Sequence, residues 1–169
     1  MIISPIEQVP NLWYVQQVYD ENLLDKFLAE AHQSYSYTML PEQENWKRKN
    51  YQQFPASSVW NSLLNSVDYG PTTALKFTPV RHAFWIDSPG FFASIHEDNK
   101  QVVASLQIYL DTLDNAGTVF YDYQYKPLYR VPYKRNTGYF MINCGQLHGF
   151  PYPILQTRRS TYTWFNKIG

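Results

Sequence analysis

Apolar residues recur at helical spacing soon after a short strand that we predict at residues 12–19. Asp20 is a good N-cap, and the first helix is predicted to run from there to about His32. The apolar stripe of this helix consists of Leu23, Leu24, Phe27, Leu28 and Ala31. Such a stripe indicates a helix that packs one face against a sheet.

A second helical pattern begins at Ser57 or Ser58, either of which can cap it, and ends at Tyr69-Gly70-Pro71. Its apolar stripe consists of Val59, Leu63, Leu64 and Val67. The first strand and the two helices occupy residues 1–75, and we expect both helices to pack on one sheet.

From about Lys76 the chain changes to short runs rich in β-branched and aromatic residues, separated by Pro, Gly and Asn. Eight strands are predicted, at residues 79–87, 91–97, 103–111, 117–125, 128–132, 138–143, 146–150 and 158–166. This pattern is typical of a mainly β fold with flanking helices, a double-stranded β-helix that forms a jelly-roll or cupin-like barrel. With 169 residues and no internal repeat, the chain is predicted to be one domain whose β core spans residues 76–169.

The segment at residues 34–55 is polar and irregular, and it contains the charged run EQENWKRKN around Trp46. A charged run is typical of a solvated loop. A long loop can also form a lid over a substrate, so both interpretations stay open.

Charge and composition argue against several classes of protein. Fourteen basic residues balance 14 acidic ones, which gives no support for a nucleic-acid binder or a polybasic membrane protein. No apolar run reaches the length of a membrane span, and MIISPIEQVP is a poor signal peptide, so we expect a soluble cytoplasmic protein. Cys144 is the single cysteine, and we interpret it as a small buried residue and not as a soft metal ligand.

Aromatic residues make up 18% of the chain, and five of them, all Tyr, lie in residues 121–135. Tyr121, Tyr123 and Tyr125 are predicted to share one face of a hairpin, with several cations nearby. Tyrosines interleaved with cations can bind single-stranded nucleic acid or an acidic ligand, whereas a solvated strand pair uses Tyr for its β propensity. The zero net charge favours the second interpretation.

Candidate metal chemistry lies in the stretch GFFASIHED, residues 90–98. On an extended backbone the side chains of His96 and Asp98 point to the same face, where they can share a metal or simply hydrogen-bond to each other. Two His and one carboxylate hold non-haem Fe(II) and leave coordination positions open. His148, in QLHGF, is the candidate third ligand, whereas His32 and His82 are expected on the surface or on a helix.

A series of short motifs runs through the chain: Ser88-Pro89-Gly90, His96-x-Asp98, SLQIYLD at 105–111, NAGTVF at 115–120, Val131-Pro132 with Gly138, Leu147-His148-Gly149, and Arg158. In order and spacing, the chain from about residue 12 to 166 resembles the 2-oxoglutarate- and Fe(II)-dependent oxygenases, most closely their prolyl-4-hydroxylase-like branch. Departures from the family pattern are Asp111, Ala116, Asn143, and Trp85 or Asp87 near a position where relatives often have Tyr.

The resemblance implies a dioxygenase that hydroxylates a C–H bond with O2 and 2-oxoglutarate and releases succinate and CO2, with ascorbate as the candidate reductant. His96, Asp98 and His148 are then the metal ligands and the catalytic residues. A prolyl or other peptide side chain is the substrate by family analogy only, and a small molecule fits the sequence equally well. The sequence does not indicate an oligomeric state.

Cosubstrate-binding residues are also implied by the resemblance. Arg158 matches the family residue that binds the far carboxylate of 2-oxoglutarate. That carboxylate needs a cation, because an unpaired charge in an apolar barrel would be costly. Arg159, which faces the opposite way in a strand, is the alternative. Ser160 and Tyr109 are candidates for further hydroxyl contacts, although Tyr109 suits a packed strand equally well.

Two other classes of protein remain open at this point. One is a non-catalytic β-helix binding module with a vestigial metal site. The other is a cupin-type metalloenzyme that does not use 2-oxoglutarate. Cupins usually place two close His before a Glu, and the sequence contains no such cluster.

Overall fold

The computed structural model describes residues 1–30, 32–39, 47–55 and 58–169. Its strands are, in chain order, β1 (Ile2–Pro5), β2 (Leu12–Gln16), β3 (Ser36–Met39), β4 (Arg48–Gln53), β5 (Phe77–Asp87), β6 (Ala93–His96), β7 (Ala104–Tyr109), β8 (Val119–Tyr121), β9 (Pro127–Arg130), β10 (Thr137–Ile142), β11 (His148–Phe150) and β12 (Arg158–Lys167). Eight strands form a large antiparallel sheet in the order β1-β2-β10-β7-β12-β5-β4-β3. The other four form a small antiparallel sheet in the order β6-β11-β8-β9. The predicted mainly β fold is therefore confirmed.

The eight strands predicted after Lys76 are all present, as β5 to β12, and the strand predicted near the N-terminus is β2. The prediction of an irregular segment at residues 34–55 was wrong for β3 and β4, which extend the large sheet beyond β5. On β4, Arg48 pairs with Asp87 and Asn50 pairs with Trp85 across the strands. Polar partners hold this strand, so it lacks the apolar alternation that marks a strand in a sequence. Trp46, which lies in the charged run of this segment, is outside the described residues.

The described residues contain three α-helices and one short 3-10 helix: α1 (Glu21–Ala29), the 3-10 helix (His32–Ser34), α2 (Val59–Asn65) and α3 (Gly70–Ala74). The Asp20 carboxylate accepts a hydrogen bond from the Leu23 N–H at 3.0 Å, which confirms the predicted cap of α1. None of the described helices combines the length and the apolar character that a membrane crossing requires.

The number of helices departs from the prediction of two. Pro71, predicted to end the second helix, lies in the first turn of α3. Proline is tolerated there because the first N–H groups of a helix have no intrahelical partner. Ser58 precedes α2 without a side-chain capping bond, and Ser57 and Ala31 lie outside the described residues.

Helices cover one face of the large sheet, and the small sheet covers the other. The helix-facing core contains Leu24, Phe27, Trp60, Leu63, Phe84, Leu106, Ile108, Phe140 and Phe165. Tyr139 and Met141 flank Phe140 along β10 and point the other way, into a second cluster with Phe120 of the small sheet. The candidate site lies in this second layer, between the two sheets.

Candidate metal and cosubstrate site

The side chains of His96, Asp98 and His148 converge although 52 residues separate the two histidines, since 148 − 96 = 52. His148 on β11 pairs directly with His96 on the neighbouring strand β6. Asp98 follows β6, and its Oδ1 lies 3.8 Å from His96 Nε2 and 3.6 Å from His148 Nε2. One ligand atom from each residue lies within 4.8 Å of the others. This spacing allows all three atoms to bind one cation.

Hydrogen bonds fix which nitrogen of each imidazole faces the centre. His96 Nδ1 lies 2.7 Å from the Ser94 carbonyl oxygen, and His148 Nδ1 lies 2.9 Å from the Gln146 carbonyl oxygen. A carbonyl oxygen can only accept, so each Nδ1 donates its proton. Both Nε2 atoms therefore keep a free lone pair toward the centre, as metal-bound histidines require.

The third ligand is oriented by Tyr162 on β12. The Tyr162 hydroxyl donates a hydrogen bond to Asp98 Oδ2 at 3.2 Å, which leaves Oδ1 toward the histidines. Burial lowers the pKa of His148, and this effect outweighs the opposing influence of the Asp98 carboxylate. A neutral imidazole is the form that binds a metal ion.

The donor set of two imidazoles and one carboxylate fits Fe(II) in an oxygenase. These three side chains also line a cavity of about 250 Å³. A metal bound by three protein ligands would keep further coordination positions open. The cavity is lined by Arg48, Trp85, Ala93, His96, Asp98, Asn99, Val102, Gln107, Thr118, Tyr139, His148, Gly149, Phe150, Arg158, Tyr162 and Trp164.

A buried cation lines the same cavity. Arg158 is 3% exposed and contacts Asp87 through Nε at 3.0 Å and Nη2 at 2.8 Å, and its Nη1 donates to the Ala116 carbonyl oxygen. Its neighbour Arg159 is partly exposed and pairs with Asp111. Of the two adjacent arginines, the structure therefore places Arg158 at the cavity.

Ser160 and Tyr109 are buried beside the cavity, but neither is among the residues that line it. Ser160 Oγ accepts from Gln107 Nε2 at 3.2 Å, and the Tyr109 hydroxyl donates to Thr118 Oγ1 at 3.1 Å. Gln107 and Thr118 do line the cavity, so the two hydroxyls reach it through these partners. Their direct contact with a cosubstrate stays a prediction.

Sequence reasoning missed Arg48, which lines the cavity and is 6% exposed. The residue lies in the charged run that the sequence allowed as either a solvated loop or a lid over a substrate. The available signal was alternation, because Arg48 and Asn50 occupy one face of β4 and both are buried. Only the strand pairing with β5 shows that this face is internal.

Other interpretations from the sequence also need correction. Cys144 is exposed, not buried, although it remains outside the metal cluster. His82 lies on strand β5, neither on a helix nor on the open surface, and its Nδ1 is 2.9 Å from Thr163 Oγ1. Tyr121 is buried whereas Tyr123 is 74% exposed, so the tyrosines of the β8–β9 hairpin do not form one aromatic face.

No protein-family model matches the sequence, and no curated protein matches it. Solved structures do resemble the fold. HygX from Streptomyces hygroscopicus with nickel and 2-oxoglutarate bound superposes with a TM-score of 0.69 at 10% identity, over 93% of this chain and 83% of that one. A prolyl-4-hydroxylase from Pseudomonas putida gives a TM-score of 0.66 at 13% identity, over 94% of each chain.

A third similar structure is a prolyl hydroxylase from Trichoplax adhaerens in complex with a hypoxia inducible factor peptide fragment. It gives a TM-score of 0.70 at 10% identity, over 95% of this chain and 85% of that one. At this level of identity the comparisons establish the fold. The chain has the double-stranded β-helix fold found in 2-oxoglutarate- and Fe(II)-dependent oxygenase structures, as the sequence motifs predicted.

Proposed function

We propose that this protein is a 2-oxoglutarate- and Fe(II)-dependent dioxygenase that hydroxylates a C–H bond of its substrate and releases succinate and CO2. The observation that carries the proposal is one cavity lined both by a set of metal ligands and by a buried cation. His96, Asp98 and His148 line it with ligand atoms close enough to share one metal, and the buried guanidinium of Arg158 lines it as well. A cupin-type metal site that does not use 2-oxoglutarate has no need for that buried cation.

Each residue has a defined task in this proposal. His96, Asp98 and His148 hold Fe(II), which supplies the activation of O2 when bound. Arg158 binds the far carboxylate of 2-oxoglutarate, so that the keto acid end of the cosubstrate points toward the metal ligands. Trp85 and Phe150 give the cavity apolar walls, which exclude water from the reacting atoms.

The substrate docks at the open side of the cavity, where the His96 side chain is 48% exposed. Structures of similar fold contain ligands of different kinds, hygromycin B in HygX and a peptide fragment in the Trichoplax enzyme. We carry both classes over as candidates, a small molecule and a peptide with a prolyl side chain.

The test is a substrate panel with the protein loaded with Fe(II) under argon, then supplied with 2-oxoglutarate, ascorbate and O2. The panel contains proline-containing peptides and small metabolites, and succinate is quantified. Substrate-dependent succinate formation, absent in an Asp98→Ala variant, is the expected result. Absence of both metal binding and 2-oxoglutarate binding would contradict the proposal.

Binding of metal and 2-oxoglutarate without succinate formation on any substrate would favour the alternative of a non-catalytic binding module.

A further inference from the structure

Two buried arginines share a single carboxylate at the cavity. Arg48 contacts Asp87 through Nε at 2.5 Å and Nη2 at 2.9 Å. Arg158 contacts the same carboxylate through Nε at 3.0 Å and Nη2 at 2.8 Å. Asp87 has no exposed surface. Two positive charges and one negative charge therefore occupy this buried cluster, which we call the Arg48–Asp87–Arg158 cluster.

The Arg48 guanidinium is held in place by aromatic rings as well as by Asp87. Its Cζ lies 4.1 Å from the centroid of the Trp85 ring and 4.3 Å from that of the Phe91 ring. Trp85 is fixed in turn, because its Nε1 donates to Asn50 Oδ1 at 3.0 Å. Contact with two aromatic rings is favourable for a buried cation, so these rings and Asp87 together fix the position of the Arg48 guanidinium at the cavity.

Asp87 stays ionised in this cluster. Burial alone would raise the pKa of the Asp87 carboxyl, but the charges and hydrogen bonds of Arg48 and Arg158 outweigh burial and hold it below its usual range. An ionised Asp87 cancels one of the two positive charges. If Arg158 were its only partner, the pair would be neutral and would attract an incoming carboxylate weakly.

We propose that Arg48 is a positioning residue that neutralises Asp87, and so leaves the charge of Arg158 available to the far carboxylate of 2-oxoglutarate. This inference rests on the proposed function. With the cosubstrate bound, Arg48, Arg158, Asp87 and the ligand carboxylate sum to zero charge. Charge balance is the condition under which a buried ionic cluster is tolerated.

The experiment compares two ligands on protein loaded with Ni(II), by isothermal titration calorimetry. 2-Oxoglutarate carries the far carboxylate, and pyruvate has the same keto acid group without it. Arg48→Met is expected to weaken 2-oxoglutarate binding at least about 10-fold, because the buried anion then takes up the Arg158 charge. Pyruvate binding is expected to be unchanged.

The double variant Arg48→Met with Asp87→Asn separates charge from shape. It removes the anion together with its partner and restores one net positive charge. 2-Oxoglutarate affinity is expected to return to within about threefold of wild type. The matched control is Arg130→Met, an exposed arginine that donates to the Asn115 carbonyl oxygen, and it is expected to bind both ligands as wild type does.

Several outcomes would overturn the inference: wild-type affinity in Arg48→Met, an equal loss for pyruvate, or no recovery in the double variant. Asp87→Asn alone keeps the test decisive if Arg48→Met does not fold. Asp87→Asn is expected to bind 2-oxoglutarate at least as tightly as wild type, and weaker binding contradicts the charge argument. Failure of the wild-type protein itself to bind 2-oxoglutarate would instead count against the proposed function.

Discussion

His148 and His96 face each other across a strand pair, with their ring centroids 4.7 Å apart. The two imidazoles of the candidate metal centre are therefore positioned by the pairing between β11 and β6, and Asp98 follows the end of β6. A shift of one residue in this pairing would turn one imidazole to the opposite face of the small sheet. Any change that separates these two strands is expected to weaken metal binding.

His96→Ala is expected to lower Fe(II) affinity at least about 100-fold, because changes to groups around a metal ligand already cost 10–100-fold. His96 suits this test because its side chain is 48% exposed, so its removal leaves the core intact. Metal affinity is measured by anaerobic calorimetry. Cys144→Ser is the control, since this exposed thiol is outside the metal cluster. Unchanged affinity in His96→Ala would remove it from the metal site.

Tyr162→Phe is expected to lower metal affinity about 10-fold while the fold is retained. The substitution removes the hydroxyl that donates to Asp98 Oδ2, but it keeps the ring that stacks on Trp85 at 4.5 Å. Tyr152→Phe, at a tyrosine that is 68% exposed, is the matched control. Equal metal affinity in the two variants would show that the Tyr162 hydroxyl is not required to orient the Asp98 carboxylate for metal binding.

Gly149→Ala tests the link between strand pairing and the metal centre. A Cβ at position 149 would lie 2.7 Å from the Ser94 carbonyl oxygen and 2.9 Å from that of Ala93, both on the backbone of β6. Overpacking of this kind costs about 1–3 kcal/mol, and here it pushes β6 away from β11. Urea unfolding should show a lower free energy of unfolding, and metal titration should show a weaker metal affinity in the same variant.

Gly169→Ala is the control for that test, because a Cβ there meets nothing within 4 Å. A stable Gly149→Ala protein with full metal affinity would mean that the two strands can adjust without moving His96.

Arg158→Met and Arg159→Met form a pair of matched variants for the cosubstrate role. We expect Arg158→Met to lose at least about 30-fold in 2-oxoglutarate affinity with metal binding retained, because the far carboxylate loses its buried partner. Arg159→Met is expected to bind 2-oxoglutarate within about twofold of wild type, since its guanidinium pairs with Asp111. The reverse result would assign the role to Arg159.

The sequence indicated His96 and Asp98 because their spacing of two is a local pattern that turns both side chains to one face of an extended backbone, although β6 itself ends at His96 and Asp98 follows it. The eight strands of the β core were readable for the same reason, since each is a short apolar run between turn residues. The choice between Arg158 and Arg159 was not readable, because alternation says only that they face opposite ways. The pairing of β12 with β5, which sets Arg158 opposite Asp87, decides it.

Arg48 shows where sequence reasoning stops. A charged residue in a polar segment is normally solvated, and the alternation of Arg48 with Asn50 shows only that they share a face, not that this face is buried. Its burial depends on Asp87, 39 residues away, and on two aromatic rings from other parts of the chain. The exposure of Cys144 was missed in the same way, because burial of a small residue follows from packing and not from its type.

His82 is expected to make the protein lose stability under mildly acidic conditions. Burial lowers its pKa from 6.5 to about 4, so the unfolded chain binds a proton that the folded protein excludes. Stability due to this residue is therefore complete above the unfolded pKa of 6.5 and decreases as the pH falls toward 4. Between about pH 7.5 and about pH 5 the expected loss is about 2 kcal/mol.

The measurement is the free energy of unfolding in urea at both pH values, for wild type and for His82→Gln. Glutamine can keep a hydrogen bond to Thr163 but does not titrate, so this variant is expected to lose about 2 kcal/mol less than wild type over the same interval. His32, whose pKa burial also lowers, contributes equally to both proteins and cancels in the difference. Identical pH profiles would show that His82 can take up a proton without unfolding, because water then reaches its ring in the folded state.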